Sequence, residues 1–143
     1  MSESRRNRPR GNQGRENQNY RYENINIPLS EYYKGKEIYL PEGITDKISK
    51  DFKPVSSSQL RKILSIVKQA LDNKDDEKSM KYIYSIVPLT AYNCGRNKKD
   101  LELLYKFVIT HINQKSIKTR KDIETFDEVF SNIIAYHKIN GGK

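Results

Sequence analysis

From residue 56 to the C-terminus, apolar side chains recur at three- and four-residue spacing in four successive stretches, a pattern that leaves little choice of architecture. The first stretch carries Leu60, Ile63, Leu64, Val67 and Leu71. Ahead of it stands Ser56-Ser57-Ser58-Gln59, where Ser56 can cap a helix and Gln59, three residues on, can close a capping box. Asn73 to Asp76 break this helix and cap the next, whose stripe is Met80, Ile83, Tyr84, Val87 and Ala91 and whose end is marked by Gly95. Pro88 falls inside it and is expected to kink the helix or end its first half. Asn97 can cap a third helix with Leu101, Leu104, Tyr105, Val108 and Ile112. Thr119 can cap a fourth with Ile123, Phe126, Phe130, Ile133, Ile134 and His137, closed by Gly141-Gly142. Four amphipathic helices on short loops predict an all-α fold, a small antiparallel bundle of four to five helices over residues 55–143. No strand pattern alternates with these helices, which argues against α/β nucleotide-binding folds.

Two segments precede the bundle. Residues 1–24 contain no Leu, Ile, Val or Phe and carry Arg5, Arg6, Arg8, Arg10, Arg15 and Arg21 on Asn, Gln, Gly and Ser spacers. Such a stretch cannot bury enough apolar surface to offset its ordering entropy, so a disordered basic arm is expected. Residues 25–54 are intermediate and irregular, with Pro28, Gly35, Pro41, Gly43 and Pro54 as punctuation. Tyr32-Tyr33 and Ile38-Tyr39-Leu40 around Lys34-Gly35-Lys36 would permit a short hairpin or an extended segment lying on the main body. Ile44 to Phe52 can form a short helix that stops before Pro54.

Several chemistries find no residues to carry them. The only cysteine, Cys94, excludes an intrachain disulfide and a multi-cysteine zinc site, and two histidines leave little room for a His-rich centre. No metal or cofactor is expected, because phosphate-cradling glycine motifs and H-E-x-x-H are both missing. Cys94 reads as a small packing residue, and His111 and His137 read as core-edge residues ahead of an acid–base pair. Asp75-Asp76-Glu77 read as a helix start stabilised by the helix dipole. No stretch approaches the length of a membrane span, so a soluble, cytoplasmic protein without a membrane partner is expected.

The positive signal is basic. Among 143 residues, 27 Lys and Arg face 18 Asp and Glu, for a net charge of +9, which points to a polyanionic partner. On the first long helix Arg61, Ser65 and Lys68 share a face, with Lys62 and Gln69 beside it, away from the apolar stripe. Arg96-Asn97-Lys98-Lys99 form a second cluster at a helix–helix turn, where backbone N–H groups also point outward. Arg61, Lys62, Lys68, Arg96, Lys98 and Lys99 are therefore the candidate contacts to a polyphosphate chain such as a nucleic acid. Most of the ten tyrosines read as packing residues, and some of Tyr20, Tyr22, Tyr32 and Tyr33 are the candidates for stacking on bases.

Three segments carry a resemblance. Val55-Ser56-Ser57-Ser58-Gln59-Leu60-Arg61-Lys62-Ile63-Leu64 resembles the Ser/Thr pair, Leu-Arg and apolar helix of the small helical subunit of type III-A CRISPR effector complexes, the Csm complexes. Ala91-Tyr92-Asn93-Cys94-Gly95-Arg96 is similar to that family's aromatic-x-x-Gly-Arg helix end, with Cys94 in place of the usual Ala. Ile134 to Lys143 resemble its Ala-Tyr-x-Lys helix followed by Gly-Gly. The likeness covers roughly residues 53–143. It implies a non-catalytic subunit that stacks in several copies, as a filament, along the guide–target RNA duplex. The partners it implies are target RNA, guide RNA, and the backbone and large subunits of the complex. Arg61 and Arg96 match the motif arginines and are the implied contacts to target-strand phosphates. Two other classes compete on the residues alone. One is an independent nucleic-acid-binding regulator using a helix–turn–helix near Gly95; the other is a small ribonuclease using His111 and His137.

Overall fold

The computed structural model describes residues 22–143, and regular structure among them is entirely helical. The arm expected at the N-terminus lies outside the described residues, its last three positions excepted. In order, the chain forms α1 (Leu29–Tyr32), a 3-10 turn (Lys36–Ile38), α2 (Ile44–Asp51), α3 (Ser57–Asp72), α4 (Asp76–Arg96), α5 (Lys98–His111) and α6 (Arg120–Ile139). α3 packs on α4 and α6, α5 on α4, and α2 on α6.

Local chemistry starts and stops these helices. The Ser56 hydroxyl accepts the Gln59 N–H at 3.1 Å and the Gln59 side chain accepts the Ser56 N–H at 3.4 Å, closing the expected capping box. Asp75 caps α4 by accepting the Glu77 N–H at 3.0 Å. At the start of α6 the Asp122 carboxylate accepts the N–H groups of Lys118 and Thr119 at 2.9 and 3.1 Å. The end of α3 is covered from α6: Arg120 donates to the carbonyls of Leu71 and Asn73 at 3.0 and 2.6 Å. Exposed carbonyls at a helix C-terminus need such donors.

Two expectations change. Pro88 does not end α4, which continues to Arg96. The ring lies on the exposed side of the helix, while Ile86 and Thr90 on either side of it are buried and hold both halves to the core. The interior row of α4 is also shifted: Ser79, Ile83, Ile86, Thr90 and Cys94 are buried, and of the expected stripe only Ile83 is fully so. Two of these five are hydroxyl residues that satisfy themselves on carbonyls. Ser79 donates to Ala70 at 2.6 Å, and Thr90 donates to Ile86 at 2.9 Å.

Neither the short hairpin nor the extended segment that the residues around Gly35 would permit forms; that stretch is α1 followed by the 3-10 turn. Its backbone finds partners on other elements. The Ile25 N–H donates to Thr110 and the Leu29 N–H to Ser116, so residues 25–29 are tied to the C-terminal end of α5 and the loop that follows it. Ser30 N–H donates to Asp122, Asn132 donates to the Ile38 carbonyl at 2.6 Å, and the Tyr136 hydroxyl donates to the Tyr39 carbonyl at 2.6 Å. With α6 supplying these groups, no second strand is required. The core centres on Phe107, whose ring lies 5.5 Å from Phe52, 6.1 Å from Phe126 and 6.0 Å from Phe130. These are the chain's four phenylalanines, and all are fully buried.

Candidate nucleic-acid interface

The histidines and the cysteine are built into the interior. His111 is 1% exposed and stacks on Phe107 with centroids 3.9 Å apart. Its Nδ1 meets the Phe107 carbonyl at 2.8 Å, and a carbonyl can only accept, so Nδ1 carries the proton. Nε2 then accepts from the Tyr33 hydroxyl at 2.5 Å. Burial pushes the His111 pKa down to about 3, so the ring is neutral in ordinary buffers. His137 Nε2 donates to the carbonyls of Phe52 and Val55 at 3.1 and 2.9 Å, bracing the segment that leads into α3. Cys94 is buried between α4 and α5. Among the described residues, no three His, Cys, Asp or Glu side chains gather so as to hold a metal ion.

The basic candidates are exposed, and the fold sorts them into separate groups. α3 packing on α4 brings Lys62 and Arg96 to two adjoining recesses that share Gln59, Asn93 and Leu101. Here the N-terminal half of α3, the last turn of α4 and the first turn of α5 converge, and two side-chain amides lie between two cations. Arg96 holds its guanidinium carbon 5.8 Å from the centre of the Tyr92 ring, one turn earlier on α4. Lys68 faces elsewhere: its ammonium bonds Asp127 of α6 at 3.0 Å. Arg61 is exposed two turns before Lys68 on the same flank of α3 and does not line the recesses of Lys62 and Arg96. Lys98 lies on the opposite side of α4, in the groove with Tyr105 and Lys106.

Asn97 alone joins α4 to α5, and Gly95 lies inside α4. A helix–turn–helix needs a turn of three or four residues, which this junction does not have. The Asn97 side chain makes no capping bond to α5 and donates instead to Asp100 at 3.2 Å. The first N–H groups of α5 therefore lie beside Lys98 and Lys99, two cations where the helix dipole favours an anion.

Of the four tyrosines considered for stacking, Tyr32 is the exposed one among the described residues. Tyr33 is half-buried on His111, and the half-buried Tyr22 donates to Asp51 at 2.7 Å; Tyr32 is 44% exposed and Tyr20 lies outside the described residues. Tyr92 and Tyr82, neither of them singled out for stacking, face solvent from α4. Their signal in the sequence is a run without Asp or Glu from Lys78 to Lys99.

A family model described as Csm2 Type III-A matches residues 37–143. It takes in α2 to α6 and reaches back to the 3-10 turn. No curated protein and no solved structure matches the chain. Among the described residues no helix is long and apolar enough to cross a membrane.

Proposed function

The chain belongs to the Csm2 Type III-A family, a family of structural subunits of the type III-A CRISPR effector complex, and from that membership we propose that it is a non-catalytic RNA-binding subunit holding target RNA through its phosphates. The observation that carries this reading is the convergence of Lys62 and Arg96 on the recesses between α3, α4 and α5, with Gln59 and Asn93 between them and the open first turn of α5 alongside. Cations, amides and N–H groups of this kind contact a sugar–phosphate chain without reading its bases, and guide pairing supplies the sequence. Arg61 and Lys68 form a second group on the other flank of α3, and Lys98 and Lys99 a third at the start of α5, with Lys98 on the far side of α4. Several copies stack along the guide–target duplex beside the backbone subunits, so each copy needs only a few phosphate contacts.

The test is affinity purification of the tagged full chain from cells that carry a type III-A system. The expected result is recovery of the other Csm subunits and guide RNA. A variant carrying Lys62→Glu and Arg96→Glu is expected to enter the complex with unchanged helix content and retain several-fold less target RNA. Equal retention by the variant removes the phosphate role of this site. Recovery of the chain alone removes the subunit reading.

A further inference from the structure

Beyond Asp76 and Glu77 in its first turn, the solvent face of α4 carries cations, tyrosines and small or apolar residues and no acid. Lys78, Tyr82, Ser85, Leu89, Tyr92 and Arg96 follow one another at four-, three-, four-, three- and four-residue steps, so they form one line on the helix. That line is about 27 Å long at 1.5 Å per residue. No Asp or Glu occurs from Lys78 to Lys99, a stretch holding five cations. Lys78, Lys81, Tyr82 and Ser85 line one shallow depression at its N-terminal end. Tyr92 is 65% exposed, with the Arg96 guanidinium against its ring at the other. Neither tyrosine is needed for the core, whose α4 row is Ser79, Ile83, Ile86, Thr90 and Cys94.

The geometry points to this face as a stacking platform for the unpaired bases of single-stranded RNA, with Tyr82 and Tyr92 carrying bases and Lys78, Lys81 and Arg96 holding the phosphates between and beside them. Charge selects the occupant: a line of cations with no acid between Lys78 and Arg96 attracts a polyanion, and two exposed rings set among the cations add base contact that a purely electrostatic groove lacks. The platform adjoins the Lys62–Arg96 recesses through Arg96 and rests on the RNA-binding reading above. It differs from it in requiring bases as well as phosphates.

The chain has no tryptophan, so Tyr92→Trp places a single fluorescent reporter on the platform of the full-length protein. The probes are a ten-nucleotide oligouridylate, an abasic ribose–phosphate chain of equal length, and polyglutamate. Binding is followed independently by anisotropy of an end label on each probe. Oligouridylate is expected to quench the reporter, and the abasic chain to bind more weakly without quenching. Replacing Tyr82 and Tyr92 together by Ala should weaken oligouridylate binding by roughly tenfold or more while leaving abasic affinity within about twofold. Oligouridylate that binds without quenching, or equal losses for both chains, overturns the platform and leaves the phosphate site standing. Binding of neither nucleic acid overturns both. Quenching by polyglutamate and not by oligouridylate makes the face a docking surface for an acidic protein and overturns the inference.

Discussion

At the scale of single residues, His111 is held by a carbonyl, a hydroxyl and a phenylalanine ring, with no water needed to satisfy it. Burial lowers its pKa to about 3 in the folded chain, whereas an unfolded histidine titrates near the ordinary value of about 6.5. Between those values the unfolded state binds a proton that the native state does not. Stability therefore falls as acid is added, with a slope approaching about 1.4 kcal/mol per pH unit. Two carboxylates act lower on the scale. Burial raises the Asp122 pKa, but the N–H groups of Ser30, Lys118 and Thr119 outweigh it and leave the group below its usual value. The Glu42 N–H and then the Asn140 side chain lower that of Asp46. Their contribution is present above the usual carboxylate range and is lost only as pH falls below it. Urea unfolding of the native chain from pH 6.5 to 4.5 is expected to show falling stability, and His111→Gln to flatten that dependence even if it lowers stability throughout. A variant that keeps the slope would assign it to another group. Little of this was legible beforehand, since the spacing of His111 places it next to Ile112 but says nothing of Tyr33, 78 residues away.

At the scale of elements, the helices were legible and their seams were not. Caps such as Ser56 with Gln59, and stripes such as Leu60, Ile63 and Val67, act within one or two turns, and sequence spacing records them directly. Ser79 and Thr90 escaped because polarity hides an interior position whose hydroxyl bonds a nearby carbonyl. The segment before α2 escaped because its partners, Asn132 for Ile38 and Tyr136 for Tyr39, are more than ninety residues away. Arg120 is the clearest seam. From the first turn of α6 it reaches two carbonyls at the end of α3, the Ser79 hydroxyl, and Asp76 at 3.0 Å. The Asp76 side chain is 80% exposed, so that ion pair contributes little, while hydrogen bonds from a charged donor to helix-end carbonyls contribute more. Arg120→Met is expected to cost about 2 kcal/mol in denaturant unfolding, and Asp76→Asn well under half of that. Equal costs would shift the weight to the ion pair. Pro88 is exposed in an unbroken helix and leaves the Tyr84 carbonyl without its helical donor. Pro88→Ala should raise stability by about 1–3 kcal/mol and be seen as a higher Tm. A lower Tm would mean that the packing of α4 depends on a bend at this residue.

At the scale of the whole molecule, charge is segregated between the middle of α4 and the middle of α6. Residues 78–99 carry cations and no acids, while residues 122–137 of α6 carry Asp122, Glu124, Asp127 and Glu128 and neither Lys nor Arg. The net charge of +9 was readable at once, but its placement needed the fold, because Lys62 and Arg96 meet only where α3 packs on α4, and Lys68 is drawn to Asp127 across 59 residues. The distinction has a measurable consequence. If RNA is held by contacts at one place, reversing charges there removes specific phosphate contacts, and the slope of log K against log salt flattens by about 0.7 for each one lost from a single strand. If RNA is held by net charge, any reversal of equal size acts alike. Lys62→Glu with Arg96→Glu and Lys47→Glu with Lys138→Glu change the net charge equally, and all four side chains are exposed. The first pair is expected to flatten the slope by about 1.4 and the second to leave it unchanged while lowering affinity slightly. Matching slopes from the two pairs would show that the α3–α4–α5 junction is no more than part of a diffusely basic surface.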